Sequence, residues 1–148
     1  MEDFQHLENW MTTAIESLSP ASQKKLARRI GIIVRRSNQK NITKQQGPNG
    51  EKWAPRKSRS RHGQVAKKRK MMMGLRKARR MRIDVNSEGV RIGFRGRNAQ
   101  IAAVHQYGER DQVAQDGPTI EYPVRPVLGF SDDLLSEIED EILALLNL

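Results

Sequence analysis

The sequence predicts an α+β fold: an N-terminal helix pair, a central antiparallel β-hairpin plus a further strand, and a C-terminal helix. Three observations carry this expectation. Apolar residues recur at helical spacing near both ends of the chain, and the period changes to two between Met81 and Phe94. Gly47-Pro48-Asn49-Gly50 and Pro126 to Gly129 interrupt the chain where neither period continues. At 148 residues the chain suits a single domain, with a basic extended or mobile segment at about 56–80.

The first helix is read from Phe4, Leu7, Met11, Ala14, Ile15 and Leu18, which share one face. Ser19-Pro20 then supplies an N-cap hydroxyl and a proline at the first helical position, where its missing N–H costs nothing. A second helix therefore starts at once. Leu26, Ile30, Ile33 and Val34 keep helical spacing, Arg28, Arg29, Arg35 and Arg36 occupy other faces, and polar residues to about Gln46 extend it. The two helices are expected to lie antiparallel. Gly47 to Gly50 ends the second, because proline lacks a donor and the neighbouring glycines and asparagine favour a tight turn. Trp53, beside Ala54-Pro55, is bulky enough to pin an irregular segment, and it is expected as an anchor onto the helix pair.

Residues 57 to 82 hold few apolar side chains, and a short helix around 66–79 is expected. Met71, Met72 and Met73 are consecutive and cannot share one helical face, so they read as flexible gap filling where the segment meets the body. Met81, Ile83 and Val85, then Val90, Ile92 and Phe94, alternate with polar residues or glycine on either side of Asn86-Ser87-Glu88-Gly89, which is a hairpin. Asn98 is expected to cap a short helix that Gly108 ends. Residues 109–118 read as a loop, and Thr119 to Val124 as a strand. Ser131-Asp132-Asp133 caps the last helix, with Leu134, Leu135, Ile138, Ile142, Leu145 and Leu146 facing inward.

Charge narrows the function. The net charge is +10, and from Lys52 to Arg82 the chain carries fourteen of its 27 Lys and Arg without one Asp or Glu. After Arg125 the sign reverses, with Asp132, Asp133, Glu137, Glu139, Asp140 and Glu141. A basic middle against an acidic tail calls for an acidic partner and suits head-to-tail contacts between copies. Without cysteine, neither a disulfide framework nor a thiolate metal site exists. The first residues, Met1-Glu2-Asp3-Phe4, lack the pattern of a signal peptide, and no apolar run approaches the length of a membrane span, so the chain is expected to be soluble and unexported.

The search for chemistry is mostly negative. His6, His62 and His105 are not spaced with one another, or with a carboxylate, as a metal pair requires, and no nucleophile elbow or phosphate loop occurs. His105 reads as a packed, hydrogen-bonded side chain, and the carboxylates of the last helix as a solvated face that complements its dipole. Gly93-Phe94-Arg95-Gly96 has the GXXG spacing of KH domains but follows a strand instead of joining two helices. No catalytic, cofactor or metal residue is assigned. A stand-alone basic nucleic-acid-binding protein would explain the charge, yet the aromatic content is only 5% and no stacking platform is evident. A nuclease would need carboxylates near the basic region, and the sequence separates them.

Three stretches together resemble a family. Gln45-Gln46-Gly47-Pro48-Asn49-Gly50-Glu51-Lys52-Trp53-Ala54-Pro55-Arg56, then Ala102-Ala103-Val104-His105-Gln106-Tyr107-Gly108, then Arg125-Pro126-Val127-Leu128-Gly129-Phe130-Ser131-Asp132-Asp133 are similar, in order and spacing, to signatures of the phage virion morphogenesis family of contractile-tailed temperate phages. The opening helix, Ser-Pro break and basic helix are similar too. The resemblance implies a structural late protein of the virion tail or neck, assembled in the host cytoplasm, which completes the head-proximal end of the tail and permits head–tail joining.

Its implied partners are other tail or neck proteins and further copies of itself in a ring, with contact to packaged DNA allowed by the charge and no membrane. It brings no catalytic residues. Structural roles fall to Trp53 and Pro55 as anchor, His105, Tyr107 and Gly108 at a helix end, and Arg125, Pro126 and Gly129 at the entry to the last helix. Arg56, Lys57, Arg59, Arg61, Lys67, Lys68, Arg69 and Lys70 are the candidate contacts to protein or DNA.

Overall fold

A computed structural model describes residues 2–56, 60–61, 64–65, 69–112 and 116–146. Helix α1 spans Glu2–Glu16 and α2 spans Pro20–Thr43, separated by the Ser-Pro break. Ser19 is the N-cap of α2: its hydroxyl accepts the Ser22 N–H at 3.2 Å, and Pro20 occupies the first turn. The helix ends at Lys44, and Gln45 turns out of it with φ of 55°. Residues 46 and 52 then form a bridge around the Gly47–Gly50 turn.

Two short strands, β1 (Ser60–Arg61) and β2 (Gln64–Val65), pair antiparallel in the basic segment. Downstream, the helix expected over 66–79 is reduced among the described residues to a 3-10 turn at Met73–Arg76. Met72 has a left-handed backbone, with φ of 58°, at the position just before that turn, so no α-helix runs through it. Residues 71 to 81 do not extend freely. Leu75 and Met81 are core residues, and Met71, Met72 and Met73 pack partly buried against them, as gap-filling methionines do.

Strands β3 (Arg82–Asn86) and β4 (Gly89–Gly93) form the expected hairpin, with Ile83 opposite Ile92 and Val85 opposite Val90. Asn86 holds its turn by accepting the Glu88 and Gly89 N–H groups on Oδ1. The hairpin lies across α2 at Gly31, where a Cβ would fall 2.7 Å from Ile83 Cγ2 and 2.9 Å from Val90 Cγ2. Those methyls belong to stiff β-branched side chains, so the close approach depends on glycine.

Helix α3 runs from Gly96 to Tyr107. Asn98 lies inside its first turn and does not cap it; Arg95 stands at the N-cap without a side-chain bond. Gly108 ends α3 with φ of 65°, and a Cβ there would meet Val124 Cγ2 at 2.8 Å and Tyr122 O at 3.1 Å, so both conformation and space call for glycine. The expected loop that follows contains a strand, β5 (Arg110–Gln112), paired antiparallel with β6 (Thr119–Glu121). Helix α4 (Asp132–Leu145) begins at Ser131, whose hydroxyl accepts the Leu134 N–H.

Two apolar clusters hold these elements together. Met11, Leu26 and Ile142 are the buried members of one, joined by Ile15, Leu18, Ile30, Ile138, Leu145 and Leu146, so α4 closes over α1 and α2. The side chains of Phe4 and Leu7 lie outside the described residues. Leu134 is buried in the first turn of α4, whereas Leu135, expected inward, is 49% exposed. Ile42, Trp53, Leu75, Met81, Ala102 and Val127 are the buried members of the other cluster. Among the described residues no helix is long and apolar enough to cross a membrane.

Candidate functional site

The second cluster is where the three sequence signatures meet. Residues 123–131 and 53–56 have no strand partner, so their backbone groups must be satisfied in other ways. Side chains do this. The Trp53 indole N–H donates to Pro126 O at 2.9 Å while the ring is buried between the end of α2, the 3-10 turn, α3 and Val127. The anchor expected on the N-terminal helix pair meets only one member of it, at Ile42 near the end of α2. Among the described residues α1 contributes no side chain to this cluster, because the chain doubles back after Gly50 onto the C-terminal end of α2.

Arg125 is the polar centre of the junction. It is 5% exposed, and its guanidinium donates to Ala54 O at 2.8 Å and Pro55 O at 3.3 Å, with Nη1 3.2 Å from His105 Nδ1. Its own N–H donates to His105 O at 2.7 Å. A guanidinium only donates, so Nδ1 of His105 must accept and the neutral ring carries its proton on Nε2. Burial, then Arg125, then Arg56 lower the His105 pKa from 6.5 to about 4, which keeps the ring in that form at neutral pH. Burial, followed by Arg56, also lowers the Arg125 pKa, while Tyr122 opposes the shift. Tyr122 meets the His105 ring edge-on at 5.1 Å.

Two amides and one asparagine complete the frame. Gln106 Oε1 accepts the Val127 and Leu128 N–H groups at 2.7 and 3.0 Å, and its Nε2 donates to Leu128 O at 3.1 Å. Gln45 holds Met71 in the same manner. Asn38, fully buried in α2, donates to Val34 O and accepts the Gly129 N–H at 3.0 Å. A Cβ on Gly129 would lie 2.5 Å from Pro48, so that glycine seats the third signature against the first. Asn38 escaped sequence reading; the one signal was a polar residue at a position continuing the buried face of Val34.

Of the candidate contact residues, Arg56 flanks this junction, near enough for its charge to act on His105 and Arg125. Arg56, Arg69 and Lys70 are exposed, and Lys70 Nζ donates to Thr43 O at 3.0 Å. Lys57, Arg59, Lys67 and Lys68 lie outside the described residues, as does the side chain of Arg61 on β1. Pro55 and Tyr107 face solvent beside the frame, Tyr107 at 70% exposure. Tyr107, Phe130, Phe94 and the small side chains of Ala99 and Ala103 edge a shallow groove of about 340 Å³. A second groove, of about 420 Å³, is lined by Arg28, Arg35, Arg79 and Arg82 around Ile32, Ala78 and Ile83. No group of three or more potential metal ligands occurs among the described residues.

Arg125, Gln106, Gln45 and Asn38 hold backbone segments together, which is the work of a structural scaffold. The chain belongs to the phage virion morphogenesis family, whose model matches residues 2–147. It is similar to tail completion protein S of Escherichia phage P2, with 36% identity over 146 residues and 97% of each chain covered. No solved structure matches it.

Proposed function

We propose that this chain is a structural virion protein that completes the head-proximal end of a phage tail and permits its joining to the head. The observation that carries the reading is its likeness, over 97% of both chains, to a protein named for tail completion. The architecture is consistent with a non-catalytic role: Trp53, His105 and Arg125 are engaged with backbone and with one another. The protein is a late product assembled in the host cytoplasm and retained in the virion at the tail or neck.

Its charge division supports a homo-oligomeric ring about the tail axis, made by heterologous contacts between basic and acidic faces. Other tail or neck proteins are its neighbours, and Arg56 to Lys70 face them or the DNA that passes the ring. Deleting the gene from the phage or prophage that carries it should leave filled heads and separate tails in electron micrographs of the lysate. Complete virions formed without the protein would sink this assignment.

A further inference from the structure

We infer that the arginine groove between α2 and the β3 hairpin is the socket for the acidic outer face of α4 from a second copy of this chain. The inference rests on the ring reading above and names its interface. Arg28 and Arg35 are seven residues apart on α2, a rise of about 10.5 Å. Asp133 and Asp140 are seven residues apart on α4 and give the same rise, about 10.5 Å, so two helices laid side by side bring both pairs together. Between the arginines, Ile32 is 38% exposed. Glu137 occupies the corresponding place between the aspartates. Its methylenes cover Ile32 and its carboxylate reaches toward Arg79 and Arg82 on the opposite wall of the groove.

A chain cannot satisfy both faces by itself. Leu26 and Ile30 carry α2 onto α4. Residues two apart on a helix differ by roughly 200° in direction, so Arg28 and Ile32 project from the side of α2 away from α4. On α4 the packed residues are Ile138 and Ile142, and by the same rule Asp140 points away from α2. Socket and plug therefore face outward in opposite directions, which makes the contact head-to-tail and repeatable.

The charges are free to be used in this way. The ion pairs among the described residues are Arg29 with Glu141 and Arg95 with Asp84, both 2.9 to 3.0 Å, and none involves the groove arginines, Asp133, Glu137 or Asp140. Arg29–Glu141 already pairs α2 with α4 inside one chain, between side chains adjoining the two faces. A nucleic-acid backbone would match the arginines but leave Ile32 and Ile83 on the groove floor without an apolar counterpart.

The test uses the whole purified chain in sedimentation at low salt. Unaltered protein should run larger than a monomer. Arg28→Glu with Arg35→Glu, and separately Asp133→Lys with Asp140→Lys, should each weaken self-association by at least about tenfold. All four changes in one chain should restore it, a result that misfolding cannot imitate, and unchanged melting temperatures exclude misfolding in the two paired variants. A monomeric unaltered chain, an oligomer indifferent to either reversal, or a fourfold swap that stays monomeric would overturn the inference. So would loss of binding to a duplex DNA oligonucleotide on reversing Arg28 and Arg35 with oligomer size unchanged, since the groove would then be a phosphate site. Tail completion in extracts is scored in parallel. Completion that needs the chain but ignores these reversals leaves the proposed function standing and removes this interface alone.

Discussion

The side-chain amide of Gln45 grips the backbone of Met71 at both ends, with Nε2 donating to Met71 O at 2.8 Å and Oε1 accepting the Met71 N–H at 2.7 Å. One residue thus reproduces, with a side chain, the exchange that two paired strand residues make through their backbones. Gln45 O also accepts the Trp53 N–H at 2.9 Å, so a single position at the end of α2 fixes both the anchor segment and the far end of the basic segment. Gln45 thus holds the chain at the downstream end of the basic stretch, where Lys70 Nζ also donates to Thr43 O.

Replacing Gln45 by leucine keeps the bulk and removes both bonds, leaving the Met71 N–H and carbonyl without that partner. Destabilisation of about 1–3 kcal/mol is expected in denaturant titrations. Amide exchange at Met71 should quicken as well. An unchanged midpoint and unchanged exchange would mean that the Met71 backbone is held by something other than this amide.

Trp53→Ala should cost about 3–5 kcal/mol, because it empties the middle of a six-residue buried cluster. Trp53→Phe keeps most of the volume but orphans Pro126 O, so a smaller loss of about 1–3 kcal/mol is expected. Thermal melts of both variants check the order. Equal melting temperatures for Trp53→Ala and the unaltered protein would contradict the burial.

His105 gives folding a pH dependence of definite sign. Its pKa is about 4 in the folded chain against 6.5 when free, so between these values the unfolded chain binds more protons. Stability from this group is fully present above pH 6.5 and is lost as the pH falls toward 4. Carboxylates add their own acid dependence, so the measurement is a difference. Unfolding free energies at about pH 4.5 and about pH 7 should differ more in the unaltered protein than in His105→Asn. Parallel pH profiles for the two would show that His105 does not carry the effect.

What the sequence made legible was local. The Ser19 cap, the hairpin about Asn86–Gly89 and the helix stop at Gly108 each depend on residues a few positions apart, and each stands where its own chemistry puts it. Strand β5 was missed because Arg110-Asp111-Gln112 has no apolar alternation to announce it. Leu135 lies within the span of an apolar helix face, yet Leu134 takes the buried position in that turn. Trp53 was legible as an anchor but not in its destination, since Pro126 is 73 residues away and no period spans that distance. The resemblance picked out three stretches; their contact through Arg125, Gln106 and Gly129 came only from the fold.

Arg125 supplies the sharpest test of that junction. Its fork reaches the carbonyls of Ala54 and Pro55 and the ring of His105, while its backbone N–H closes on His105 O, so first, second and third signatures meet on one residue. Lysine carries the same charge but presents one ammonium on a flexible stem, and it cannot reproduce a planar fork aimed at three acceptors. Arg125→Lys is therefore expected to lower stability by about 1–3 kcal/mol despite the retained charge. The loss should be accompanied by faster amide exchange around Trp53, while Arg125→Gln, which removes the charge, should also raise the His105 pKa, because the Arg125 charge is the second of the influences that depress it. NMR titration of the His105 ring in the glutamine variant reads that rise directly. If Arg125→Lys melts with the unaltered protein and amide exchange around Trp53 is unchanged, the guanidinium is not what ties the three signatures together, and the junction is held by Trp53 and Gln106 instead.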